Sequence, residues 1–254
     1  MKWPEDPANQ QRPNLTYRSI RAVAREIVQV WFREVDVVDN ENIPHEGGAV
    51  FIAWHPSGLI DPMLMVATLP GKMSLIAKHT LFKVPVLGTI MRASGALPIM
   101  RSSDIKGDEA DSKKHNENQL SSVAEAVARG GKLIIFPEGT THSESDVKSV
   151  RTGTARIMEM AIERSGNEGL PPPSLVPVGL HYSEAHTFRE RAAVIVERPM
   201  ELPPLPERSD DAEADETKRR TWVKEVTLDI ENELKRASHA TSSWQDRHLI
   251  WRAR

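Results

Sequence analysis

Between residues 15 and 35, Ile20, Val23, Ala24, Ile27, Val28, Trp31 and Val35 recur at spacings of three, one and four. That rhythm predicts an amphipathic helix. Arg18, Arg21, Arg25, Gln29 and Arg33 fall on a second stripe at spacings of three and four, so the polar face is basic. A helix of this kind packs on a domain core or lies in a membrane interface, with Trp31 and Phe32 at the headgroup level. After Gly47-Gly48, the apolar run 49–54 has the length of a buried strand. Asp61-Pro62 then reads as the opening of a helix over 63–69, with Asp as N-cap and Pro at the first helical position. Further strands are predicted over 73–77, 96–100, 132–136, 175–180 and 193–196, with helices over 85–93, 118–129 and 153–164. Residues 102–118 are polar and charged and read as a loop.

Strands alternating with helices predict an α/β fold, a sheet with helices packed on its faces. Residues 1–14 read as a flexible tail. Residues 201–216, rich in Pro, Asp and Glu, read as a solvated linker. A charged helix over 217–236 follows, with Trp222, Val223, Val226, Ile230 and Leu234 on one side, and residues 243–254 begin another. That last pattern stops abruptly, as expected where a natural chain runs further.

Composition narrows the chemistry. The 254 residues include no cysteine, which removes disulfides, thiolate nucleophiles and zinc–thiolate sites. A net charge of −3 carries no electrostatic footprint for nucleic acid. The polar opening MKWPEDPANQQRPN has no apolar leader, and no run approaches the roughly 18 apolar residues of a membrane span. The expectation is a cytoplasmic protein that meets a bilayer, if at all, by lying on its inner face.

Four strand ends carry candidate chemistry. In Trp54-His55-Pro56-Ser57-Gly58-Leu59-Ile60-Asp61-Pro62, a His ends a buried strand and an Asp follows six positions later. Gly58 permits the turn that would let them meet, and an Asp on Nδ1 would leave Nε2 as a base. Read alone, Asp61 is equally an N-cap and His55 a core histidine. In Phe136-Pro137-Glu138-Gly139-Thr140-Thr141-His142, a carboxylate and hydroxyls follow a strand, where α/β sheets bind ligands. In Gly95-Ala96-Leu97-Pro98-Ile99-Met100-Arg101, a guanidinium suited to a phosphate follows another. Leu175-Val176-Pro177-Val178-Gly179-Leu180 reads as an edge or irregular strand because of its Pro.

Taken together and in this order, the four blocks resemble the glycerol-3-phosphate and 1-acylglycerol-3-phosphate (lysophosphatidic acid) acyltransferase family, PlsC-like, over roughly residues 47–199. The family's blocks are His-x4-Asp, a Gly-containing segment ending in Arg, Phe-Pro-Glu-Gly-Thr, and an apolar block centred on Pro. Here five residues rather than four separate His55 from Asp61. The longer form resembles some glycerol-3-phosphate and dihydroxyacetone-phosphate acyltransferases and tilts the acceptor toward an unacylated glycerol phosphate. The resemblance implies a single acyltransferase domain over 15–200 with a mixed sheet, followed by the linker and a helical extension over 217–254.

It also implies the reaction. An acyl group passes from acyl-CoA or acyl carrier protein to a hydroxyl of glycerol-3-phosphate or 1-acylglycerol-3-phosphate, with His55 as base, Asp61 orienting it, and no bound cofactor or metal. The absence of cysteine and of a Gly-x-Ser-x-Gly elbow agrees with direct transfer. Backbone N–H groups near Gly58 or Gly139 are candidates for the oxyanion. Arg101, Glu138, Gly139 and Thr140 would line the acceptor site. Charge repulsion from a phosphate assigns Glu138 to a glycerol hydroxyl or to Arg101. Pro137 and Pro177 would shape the structure or the acyl pocket, and Lys78 and Lys83 are weaker candidates for donor phosphates. Two alternatives stand beside this reading. One is a non-catalytic lipid-binding protein of the same fold. The other is a metal-dependent hydrolase with His55, Asp61, Glu138 and His142 as ligands.

Overall fold

A computed structural model describes residues 3–4, 13–85, 87–99, 109–140, 144–182 and 188–239. The elements run α1 (Leu15–Trp31), β1 (Phe32–Val38), β2 (Ala49–Ile52), α2 (Ile60–Thr68), β3 (Met73–Lys78), α3 (Leu87–Ser94), β4 (Leu97–Ile99), α4 (Glu109–Ala128), β5 (Lys132–Ile135), α5 (Gly153–Asn167), β6 (Ser174–Tyr182), β7 (Glu190–Val196) and α6 (Ala212–Ala237). Short 3-10 turns lie at Asn40–Asn42 and His79–Lys83.

One seven-stranded sheet carries the order β1-β7-β6-β2-β5-β3-β4. All its pairings are parallel except β6 with β7. The mixed sheet is therefore as expected. Helices α1, α2 and α3 pack on one another, and so do α4, α5 and α6. Two helical layers explain why β2 and β5 are buried along their whole length and read as unbroken apolar runs rather than alternating ones. Because β6, β2, β5, β3 and β4 are parallel, their carboxyl ends lie along one edge of the sheet, and the His55 and Glu138 blocks follow two of them, β2 and β5.

Four expectations are corrected. The first helix ends at Trp31, and residues 32–38 form β1, parallel to β7. Val35, Val37 and Val38 suit a strand, and Val35 continued the helical rhythm only by coincidence of spacing. The segment expected as a loop over 102–118 is helical from Glu109. Its Glu, Ala and Lys are good helix formers, but they carry no apolar stripe for periodicity to detect. β6 is an interior strand, not an edge. Pro177 faces Glu197, one residue beyond the end of β7: its carbonyl accepts from the Glu197 N–H at 3.0 Å, and the reciprocal bond that a proline cannot donate is forgone where that ladder ends.

Last, α6 begins at Ala212, five residues earlier than expected, capped by Asp211, whose carboxylate accepts from the N–H groups of Glu213 and Ala214 at 3.0 and 3.3 Å. The acidic run read as linker is thus a helix start, where carboxylates are favoured. Trp222, Val223, Val226, Ile230 and Leu234 are buried in the common core, and Met200, Leu202 and Leu205 of the preceding strap pack against it. The expected tail over 1–14 lies mostly outside the described residues, and the expected helix over 243–254 lies wholly outside them.

Helix α1 also sits differently from its sequence pattern. It buries Tyr17, Arg21, Ala24 and Val28. Arg21 donates to the carbonyl of Gly71 and lies over the Tyr17 ring, and Arg25 donates to the carbonyl of Ala67 at 3.0 Å. The expected basic face is therefore turned partly inward, and Phe32 is core. Val23, Ile27 and Val30 are left 59, 42 and 60% exposed on one side of the helix.

Candidate active site

Strand β2 delivers His55 three residues past its end. The His55 Nδ1 lies 2.8 Å from Asp61 Oδ2, and the same oxygen accepts from the Ser57 N–H at 2.8 Å. The five-residue spacing closes because Gly58 takes a left-handed backbone (φ 58°), which turns the chain between the two residues. Asp61 is fully buried. It is not the N-cap expected from the sequence: α2 starts at Ile60 after Leu59, and Asp61 sits in its first turn with the carboxylate turned back toward His55.

Asp61 Oδ1 accepts from the Tyr182 hydroxyl at the end of β6. The imidazole stacks on the Phe136 ring, with centroids 4.1 Å apart and planes 18° from parallel. The His55 side chain is 17% exposed, and its Nε2 makes no hydrogen bond among the described residues. A His with Nδ1 on a carboxylate and Nε2 open to solvent is set up as a proton acceptor.

The turn after β5 supports this pair from the other side. Glu138 is 2% exposed. Its Oε2 accepts from the His55 backbone N–H at 3.1 Å and its Oε1 from the Lys148 N–H at 2.9 Å. The sequence reading assigns this carboxylate to a glycerol hydroxyl or to Arg101, which lies outside the described residues. In the structure two of its partners are main-chain N–H groups, as a buried carboxylate requires donors, and it joins two backbone segments.

Gly139 is left-handed (φ 67°) and its N–H closes a turn onto the Phe136 carbonyl at 3.0 Å. Of the two backbone donors considered for an oxyanion, Gly139 is thus engaged, while the Gly58 N–H makes no hydrogen bond among the described residues. Thr140 is half-buried beside this turn. Pro137 accepts from the Arg151 N–H at 2.9 Å, and Pro177 pairs with Ile52 in the sheet. Both prolines therefore have backbone roles next to the site.

Arg101 and His142 lie outside the described residues, as does the side chain of Lys78; Lys83 closes the 3-10 turn after β3. Two residues near the site escaped the sequence reading. Tyr182 is a polar tip at the end of an apolar strand, a signal visible in Leu180-His181-Tyr182 but easily read as core. Arg151 lies against Gly139: a Cβ there would stand 3.0 Å from its Cδ and Nε. Arg151 is exposed and forms no ion pair among the described residues.

Residues 34–181 match the sequence model of the Acyltransferase family. A 1-acyl-sn-glycerol-3-phosphate acyltransferase of Borreliella burgdorferi is 25% identical over 146 residues, covering 56% of this chain and 53% of that protein. Glycerol-3-phosphate O-acyltransferase 1 of Saccharomyces cerevisiae is 30% identical over 81 residues, covering 32% of this chain and 10% of that protein. The chain thus spans about half the length, or less, of these curated relatives. The crystal structure of the lysophosphatidic acid acyltransferase PlsC from Thermotoga maritima aligns over 86% of this chain and 80% of that one, with a TM-score of 0.54 at 19% identity, which shows a shared fold. With the family model covering more than half of its residues, this chain belongs to the Acyltransferase family.

Proposed function

We propose that this protein transfers a fatty acyl group from a thioester to a hydroxyl of a glycerol phosphate, with 1-acylglycerol-3-phosphate as the acceptor. The observation that carries the reading is the 2.8 Å contact between His55 Nδ1 and the buried Asp61, with Nε2 left open. His55 Nε2 takes the proton of the acceptor hydroxyl as that oxygen attacks the thioester carbonyl. The oxyanion of the tetrahedral intermediate is met by the Gly58 N–H. The intermediate collapses, the carbon–sulfur bond breaks, and the imidazolium returns the proton to the leaving thiolate. Asp61 stabilises the imidazolium throughout. No acyl-enzyme forms, in keeping with a chain that has no cysteine. The acceptor phosphate is met by Arg151 beside Gly139 and by Arg101 beyond β4.

The acceptor assignment rests on the relative from Borreliella burgdorferi, whose match is the longer of the two. The five-residue His55–Asp61 spacing favours a second acceptor, glycerol-3-phosphate. The donor is acyl-CoA or acyl carrier protein. Acyl chains and lysolipids reside in bilayers, so the site works at a lipid surface, on the cytoplasmic side. The exposed Val23, Ile27 and Val30 of α1 support that contact. Among the described residues, no helix is long and apolar enough to cross a membrane.

The test is acyl transfer by purified protein with long-chain acyl-CoA and liposomes, offering 1-acylglycerol-3-phosphate and glycerol-3-phosphate separately. Product is expected with the first acceptor, reduced about 10²- to 10⁴-fold in His55→Ala, the usual worth of a general base. Failure with both acceptors, and again with acyl carrier protein donors, would favour a lipid-binding protein of the same fold.

A further inference from the structure

We infer that Tyr182 is a positioning residue for the reaction, acting on His55 through Asp61; this inference rests on the acyl-transfer reading above. Asp61 has two oxygens in different situations. Oδ2 receives two donors, His55 Nδ1 and the Ser57 N–H, both at 2.8 Å and both from the loop that Asp61 itself closes. Those donors converge on one oxygen, about which the carboxylate can still pivot. Oδ1 receives the Tyr182 hydroxyl. A donor on the second oxygen fixes the plane of the carboxylate, and with it the rotation of the imidazole hydrogen-bonded to it.

The origin of that donor matters. Tyr182 is the last residue of β6, the sheet neighbour of β2 on the side away from β5. It is 2% exposed, and its ring stacks on Phe32 at 6.2 Å between centroids. Two residues earlier, the carbonyl of Leu180 accepts from Trp54 Nε1 at 3.1 Å, immediately before His55. The carboxyl end of β6 is therefore fastened to the catalytic loop twice, once before His55 and once through Asp61. Glu138, after β5, fastens the same loop from the opposite side at the His55 N–H. His55 hangs between two interior strands, and Tyr182 is the part of that suspension that sets the direction of Nε2. A base aimed this way gains from orientation, which is sensitive to small rotations.

Tyr182→Phe removes the oxygen and keeps the ring against Phe32, so the fold should persist with an unchanged circular dichroism spectrum. The expected result is a kcat lower by about 10- to 100-fold, the scale of a misaligned catalytic group, with KM for both substrates within about twofold. Trp54→Phe, which removes the neighbouring tie at Leu180 without touching Asp61, should lower thermal stability with a smaller effect on kcat. A second readout does not depend on activity. The downfield proton NMR signal of His55 Nδ1–H, identified by its loss in His55→Ala, should shift or exchange-broaden in Tyr182→Phe. An unaltered signal with an unaltered kcat would overturn the inference. A wild-type protein that transfers no acyl group would instead overturn the acyl-transfer reading, and the NMR comparison would still decide whether Tyr182 governs the pair.

Discussion

Glu138 Oε2 holds the backbone N–H of His55 at 3.1 Å while Oε1 holds that of Lys148 at 2.9 Å, so one buried side chain ties the loop that carries His55 to the segment leading into α5. This arrangement makes Glu138 a clamp on the main chain. Glu138→Gln replaces one acceptor oxygen with an NH2 group that faces another N–H. Hydrogen bonds to charged groups are worth about 1.5–3 kcal/mol, and an orphaned buried donor adds to the loss. The expected outcome is a lower melting temperature and a lower kcat, with acceptor KM within about twofold of wild type. A rise confined to acceptor KM would instead favour the acceptor-site role that the sequence reading gives Glu138.

The sequence carried the site in blocks but not its cross-links. His55, Asp61 and Glu138 were legible because each follows or closes an apolar run, and their residue types announce acid–base chemistry. What joins them was not. Tyr182 reaches Asp61 across 121 positions of chain, and only the placement of β6 beside β2 brings them together. The inward turn of Arg21 was equally hidden. Its charge marks it as polar surface, yet it is buried because the Gly71 carbonyl and the Tyr17 ring supply partners. Periodicity reports which residues share a face, and it cannot report that a buried face includes a cation held by a carbonyl and a ring.

Arg151 lies against Gly139 with its guanidinium exposed and unpaired among the described residues, at the same edge as His55. A phosphate monoester is a natural bidentate partner for such a group. Arg151→Ala should raise acceptor KM by about tenfold, one charge-assisted contact's worth, and leave donor KM unchanged. Arg151→Lys should fall between, because it keeps the charge and loses the fork. Equal acceptor KM in all three proteins would remove Arg151 from the acceptor site.

The exposed side of α1 gives a prediction about lipid. Val23, Ile27 and Val30 stand in solvent while the core face is occupied by Tyr17, Ala24 and Val28, so their replacement leaves packing intact. Changing all three to Ser should reduce sedimentation with anionic phospholipid vesicles and reduce acyl transfer to liposomal acceptor. It should spare transfer to a short-chain, water-soluble acceptor. Unchanged sedimentation would mean that α1 does not carry the membrane contact.

Stability should depend on pH through the junction of α5, the strap and α6. Arg219 reaches Glu159 at 2.5 Å and Glu163 at 2.8 Å, and Arg208 joins Glu163 to Asp215, the latter at 2.7 Å. The Arg219 hydrogen bond, chiefly, holds the Glu163 carboxyl below its ordinary value, and Arg208 does the same for Asp215. Both groups are depressed in the folded state. Their contribution is therefore fully present above the unfolded carboxylate range, about pH 3.9–4.3, and is lost as pH falls through the lower folded values. Arg219→Met removes the first partner of Glu163 while keeping an apolar stem over Val223. The variant should show a lower urea midpoint than wild type at pH 7, and the gap should close as pH drops below about 4. Equilibrium unfolding at several pH values measures it. A gap that stays constant from pH 7 to pH 3 would mean that Arg219 contributes through packing alone, and the ion network would then have no part in acid stability.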